Sequence, residues 1–437
     1  MQRLSPLCPV IIQILRYFII IKAEYIMNGE ELKLNISKDL KFINNTVTQQ
    51  AKAPEYLSIA STENVRRLHS SIPSYHETPL VPLNSLAKKL GLKGIYVKDE
   101  SYRFGLNAFK GLGGIYALSC IVCEKFGMDM NKVDFSDLQK SSMRDRLSNC
   151  IFVTATDGNH GKGVVWAATQ LGCKTYVYMP QGSSENRAQA IRDAGMAEVV
   201  ITDMNYDDTV RYASYMSEKN NWALLQDTSW KEYEKVPRWI VAGYTTIAHE
   251  AIEQLQKYNI DAPTHVFLQA GVGAMAGSII GYLVNYYKSN YPAFTIVEPK
   301  QVSGIFESAR QNDGLTHSAA GNGNTIMAGL NCGEPCTITW PIIYNFARHY
   351  ASCHDDVAKI GMRLLAYPQG SDNKIISGES GAVTSGLLAL LMEKDELIEQ
   401  RKVMGLNENS IVLLINTEGD TDPISYQAIV NNESFEV

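Results

Sequence analysis

The sequence predicts an α/β protein of two domains, each a mostly parallel sheet flanked by helices. Three observations predict it. From residue 94 onward, strand-like and helix-like runs alternate. The strand-like runs are continuously apolar rather than alternating, as in strands covered on both faces. A chain of 437 residues is also long enough for two or three domains.

The elements follow in order. Val10 to Ile21 is apolar but interrupted by Gln13 and Arg16; it is too short and too polar for a membrane span. No small-residue cleavage site follows it, and Met27 begins a more ordinary polar start. Residues 1–26 are therefore expected to be an extension outside the fold. Gly94 to Glu100 reads as a strand, and Ile115 to Phe126, free of Pro, as a helix. Asp129 to Ser148 is the most polar interior stretch and is expected to be a surface excursion. Strands are expected at 149–154, 174–179, 198–202, 223–226, 265–269, 295–298 and 411–416. Helices are expected at 161–171, 184–194, 207–219 and from about Trp239 to Tyr258, with another after the 265–269 strand. In such folds ligands bind at the carboxyl ends of the strands.

Those ends carry the chemistry. After the first strand, Ser101 to Lys110 runs into Gly111-Leu-Gly-Gly114. Lys110 stands at a loop-to-helix junction with glycines behind it. A helix N-terminus is expected to lower an ammonium pKa, and only a neutral amine attacks a carbonyl. After 265–269 comes Ala270-Gly-Val-Gly-Ala-Met-Ala-Gly277. A Gly-rich turn between strand and helix offers N–H groups to a phosphate. The spacing is G-x-G-x-x-x-G, without a Walker lysine. Glu298, 21 residues beyond Gly277, keeps a nicotinamide cofactor as a weaker reading. After 149–154 comes Thr156-Asp-Gly-Asn-His160, placing a hydroxyl, a carboxylate, an amide and an imidazole together at a helix start. Thr156 or Asp157 could equally be an N-cap, and Gly158 turn chemistry. Thr417-Glu-Gly-Asp-Thr-Asp422 is another polar strand-end loop, and Ser377-Gly-Glu-Ser-Gly381 opens a further helix.

Composition excludes several classes. A net charge of −6 gives no basic footprint for nucleic acid. Cys120/Cys123 and Cys332/Cys336 are isolated pairs with no second pair at zinc-like spacing. No metal is expected, and free thiols in a reducing cytoplasm are the simplest account.

A lysine nucleophile, a phosphate cradle without a Walker lysine and polar strand-end loops suggest pyridoxal 5′-phosphate. Phe109-Lys110, Thr156 to His160 and the 271–277 glycine loop come in the order seen in fold-type II pyridoxal-phosphate enzymes, which the chain resembles from about Tyr75 to Asp422. Asp157, where relatives commonly have a small residue, stands with Phe104 to Lys110, Asp203 to Val210, Gln269 to Gly277 and Ser377 to Gly381. Together these resemble the diaminopropionate ammonia-lyase family. A serine/threonine dehydratase or a β-replacing synthase on the same fold is the alternative.

The resemblance implies a cofactor in the cleft between a large domain, 27–110 with 231–437, and a small domain, 111–230. It implies a homodimer acting on an amino acid. Lys110 would hold the cofactor, and Asn159 would bond the ring 3′-oxygen. The backbone of Gly271, Val272, Gly273, Ala274 and Met275 would take the phosphate, and Thr417 would face the pyridine nitrogen. Thr156, Asp157, Gly158 and His160 would meet the substrate. Lys110 would serve as base for the L-isomer and Asp157 for the D-isomer. Asp157 first, and Asp227 second, are the candidates to hold the leaving ammonium. Where many relatives carry a serine two before the lysine, this chain has Ala108.

Overall fold

The computed structural model describes residues 34–45, 51–319, 321 and 323–431. The extension expected at 1–26 lies outside them. Among the described residues, eleven strands form two sheets. The larger runs in the order β1 (Leu40–Asn44), β10 (Ala347–Cys353), β9 (Ala293–Pro299), β8 (His265–Gln269), β11 (Ile411–Asn416), β3 (Gly94–Asp99) and β2 (Leu80–Pro82). Its inner pairs are parallel, and only the edge strands β1 and β2 run antiparallel to their neighbours. The smaller sheet is wholly parallel: β6 (Ala197–Ile201), β5 (Lys174–Met179), β4 (Ile151–Ala155) and β7 (Ala223–Leu224). β8 and β11 are buried at every residue, which is why they read as unbroken apolar runs.

Six helices bear on the site: α1 (Gly111–Phe126), α2 (Asn159–Gln170), α3 (Lys235–Lys257), α4 (Ala274–Tyr287), α5 (Gly304–Gln311) and α6 (Glu379–Glu393). α1 packs on α2 on one side and on α3 on the other. Twelve of its 16 residues are buried, so it carries no polar face. Glycines set these crossings. A Cβ on Gly163 of α2 would lie 2.9 Å from Gly111 N and 3.0 Å from Lys110 C, and one on Gly243 of α3 would lie 2.8 Å from the Gly113 Cα. α2 thereby meets the Lys110 backbone, and α3 meets α1 at Leu112 and Gly113.

Several expectations shift. α1 begins at Gly111 rather than Ile115, with Lys110 as its N-cap. α3 begins at Lys235, because Pro237 falls in the first turn, where no intrahelical N–H is needed. Strands β1, β2 and β10 were not anticipated. The stretch 129–148 is only partly an excursion: Phe135, Leu138, Met143 and Leu147 belong to the main core cluster.

Candidate active site

The sheet topology gathers the strand ends. β8, β11 and β3 are consecutive neighbours. Their carboxyl ends deliver Gln269 and the 270–273 turn, Thr417 with Glu418, and the loop to Lys110. The smaller sheet brings Asp157, Asn159 and His160 after β4, and Asp227 after β7, to the same cavity. That cavity is lined by Lys110, Asp157, Asn159, His160, Asp227, residues 269–276 and Thr417.

The loop to Lys110 is fixed by a buried ion network. Arg103 donates through Nε to Glu100 Oε2 at 2.9 Å and through Nη1 to Glu250 Oε1 at 2.8 Å; Lys98 Nζ donates to Glu250 Oε2 at 2.6 Å. None of these side chains reaches solvent by more than 2%. Lys110 itself pairs with Asp227. Burial works against its ammonium, but the Asp227 carboxylate outweighs burial, with Tyr244 and Asp157 adding, and holds the pKa well above the ordinary lysine value. The expectation of a lowered pKa does not hold: a full carboxylate in contact exceeds the partial charge of a helix end.

The two acids differ. Asp227 is 2% exposed. Burial pushes its pKa up, but His160 and Lys110 pull it down to about 2. Asp157 is half-buried, and its Oδ2 is shielded without a hydrogen-bond partner. Burial pushes its pKa up to about 6, against the pull of Lys110 and Arg187. One carboxyl is thus held ionised while the other is poised near neutrality, a pattern found where acids divide roles.

Their neighbours fall into place unevenly. Asn159 donates through Nδ2 to Glu418, whose Oε1 accepts from Ser380 N at 3.0 Å. His160 is buried, with Nε2 2.9 Å from the Leu225 carbonyl and Nδ1 3.7 Å from Asp227 Oδ2. Thr156 Oγ1 accepts from Gly158 N at 2.9 Å and Gly161 N at 3.0 Å; it caps the loop and does not line the cavity. Gly158 lines an adjoining cavity with Lys162 and Arg187. Gly273 takes a φ of +89°, and a Cβ there would meet Ile305 Cδ1 at 2.8 Å and Ile343 Cδ1 at 2.9 Å, so its geometry requires glycine. Glu298 caps α5, accepting from Ile305 N at 2.9 Å and Phe306 N at 2.6 Å. It does not line the cavity, which removes the feature that supported a nicotinamide.

Glu418, Gln269, Tyr206, Ser380 and Cys332 line the cavity without having been assigned from sequence. Glu418 stood in a polar strand-end loop and Gln269 at a strand end, so position was the available signal. The donor set fits a phosphorylated aldehyde. It has an amine at Lys110, a hydroxyl at Thr417 and a turn whose helix-start N–H groups have no carbonyl four residues back. Glycines 271 and 273 carry no side chain, so the backbone on either side of Val272 lies open to the cavity.

Comparison with known proteins agrees. The family model described as "pyridoxal-phosphate dependent enzyme" matches residues 72–407. The diaminopropionate ammonia-lyase of Salmonella typhimurium is 49% identical over 369 residues, 84% of this chain and 91% of that one. The crystal structure of diaminopropionate ammonia-lyase from Escherichia coli with an aminoacrylate-PLP azomethine reaction intermediate superposes with a TM-score of 0.82. It is 43% identical over 90% of this chain and 96% of that one. The same Escherichia coli enzyme in complex with D-serine matches equally, with a TM-score of 0.82. The fold is that of a fold-type II pyridoxal-phosphate-dependent enzyme. Within that class the chain belongs to the diaminopropionate ammonia-lyase family. Among the described residues no helix is long and apolar enough to cross a membrane.

Proposed function

We propose that this chain eliminates ammonia from D- and L-2,3-diaminopropionate, giving pyruvate and two molecules of ammonia in all. The observation that carries the reading is one lysine flanked by two acids of opposite tendency in the cavity beside the 271–275 turn. Pyridoxal phosphate, when bound, supplies a carbonyl for Lys110 and an electron sink for the pair left when the α-proton departs.

The residues divide the work. Lys110 holds the cofactor and, once free of it, removes the α-proton of the L-isomer. Asp157 removes that of the D-isomer from the opposite face. Its raised pKa suits a base near neutral pH. Asp227 stays a carboxylate and already holds one ammonium, that of Lys110. It is therefore the better of the two acids for the departing β-ammonium, reversing the order read from sequence. Backbone N–H groups of Gly271, Val272, Gly273, Ala274 and Met275 hold the phosphate, Asn159 the 3′-oxygen and Thr417 the ring nitrogen. Asp157, Gly158 and His160 border the substrate, with Thr156 holding their loop. The enamine released hydrolyses to pyruvate and the second ammonia.

The two sheets support a large domain of 27–110 with 231–437 and a small one of 111–230. A homodimer in the cytoplasm completes the reading; the seven free cysteines of the described residues are all buried. The test is pyruvate release from D- and L-2,3-diaminopropionate, serine and threonine, with ammonia counted. Two ammonia per pyruvate from both diaminopropionate isomers is expected. Faster turnover of serine or threonine would make the chain a dehydratase.

A further inference from the structure

The side chain of Gln269, at the end of β8, is 1% exposed and lines the cavity. Its Nε2 lies 2.8 Å from the Ile415 carbonyl, 3.3 Å from the Gly381 carbonyl and 3.1 Å from Thr417 Oγ1. Its Oε1 is buried with no partner. The two carbonyls settle which end of the amide points where, because a rotated amide would set its oxygen against two acceptors. An amide nitrogen donates and has no lone pair to give. Thr417 Oγ1 therefore accepts from Gln269 and cannot donate to it. Among the described residues Gln269 is the one hydrogen-bond partner of that hydroxyl. The hydroxyl proton is left for the cavity.

We propose that Gln269 is a positioning residue: it turns the Thr417 proton into the cavity, so that Thr417 can only donate to the ring nitrogen of the cofactor. The inference rests on the reading above that Thr417 faces that nitrogen. An obligate donor there keeps the nitrogen unprotonated, since a protonated one would oppose donor to donor at the cost of an unsatisfied buried pair. The identity of residue 269, and not only that of residue 417, then decides the ring's protonation state. Thr417 alone would leave it open, because a hydroxyl both donates and accepts.

A glutamate at 269 reverses the relay. The oxygen replacing Nε2 carries lone pairs even when its carboxyl is protonated toward Ile415, so it accepts from Thr417. The threonine oxygen then presents a lone pair to the ring, and a protonated nitrogen becomes the better partner.

The test loads the protein with cofactor carrying ¹⁵N in its ring and reads the ring-nitrogen resonance, independently of turnover. The wild-type resonance is expected in the neutral-pyridine range and constant from about pH 6 upward, through the range in which Asp157 ionises. Q269E is expected to shift it into the pyridinium range. Q269M adds no acceptor, and two carbonyls deprived of their donor then compete for the Thr417 proton; its resonance is expected part of the way toward that of Thr417→Val. A pyridinium resonance in the wild type overturns the inference, and so does a Q269E resonance identical to wild type. Should Q269E not fold, the wild-type and Q269M resonances decide. An unchanged resonance in Thr417→Val shows instead that Thr417 does not face the nitrogen, which overturns the underlying reading.

Discussion

Asp157→Asn separates the two substrate isomers. The substitution keeps the shape and the hydrogen-bonding capacity of the side chain but removes its basicity. Burial raises the Asp157 pKa to about 6, still below neutral pH, so its carboxyl is ionised there and ready to accept a proton. A positioned general base contributes roughly 10²–10⁴-fold. The D-isomer should lose that much in kcat/KM, while the L-isomer, served by Lys110, should change only a few-fold. The sign of the pH dependence follows. The reactive form is the carboxylate, so turnover of the D-isomer should fall about tenfold per pH unit below pH 6, and the L-isomer should lack that limb. Pyruvate formation from each isomer, followed between pH 5 and 8, measures both effects. Equal losses on the two isomers would mean that Asp157 holds substrate or the leaving ammonium, and the assignment of a base would fall. An undiminished rate on both would remove it from the chemistry.

Three further outcomes follow from the geometry. Lys110→Ala should abolish turnover, and borohydride should no longer fix the cofactor to the chain; retention of a reducible adduct would point to another lysine. Ala274→Asp sets a carboxylate at the first position of α4, beside the turn proposed to hold the phosphate. Repulsion of a phosphate at 4 Å is about 4 kcal/mol at an effective dielectric of 20, so cofactor affinity should fall by about 10³-fold; an unchanged affinity would leave the turn a structural one. Arg103→Met leaves Glu100 and Glu250 buried with Lys98 as their one cation. It should lower stability by about 3–5 kcal/mol in denaturant unfolding, whereas a loss below about 1 kcal/mol would show that the network is not what fixes the loop.

Sequence reading succeeded where structure is local. β5, β8 and β11 fall on their expected limits; β8 and β11 do so because strands buried at every residue read as largely apolar runs. β10 escaped because Arg348 and His349 interrupt it, with Arg348 exposed at a register shift. β2 escaped because it is three residues long and ends in a proline, which only an edge strand accepts.

By itself the sequence determined the class of sheet, the strand-end turns, the lysine at a helix start and the glycines behind it. All of these are set by neighbours in the chain. Tertiary structure alone decided the proton states and pairings. Asp227 is 117 residues from Lys110, and Glu418 is 259 from Asn159. No local pattern shows that a distant carboxylate will reverse the pull of a helix end, or that of two acids one will sit at about 2 and the other at about 6. Electrostatic energies depend on separation and burial in space, and those are fixed only when the ends of β3, β8 and β11 meet the ends of β4 and β7.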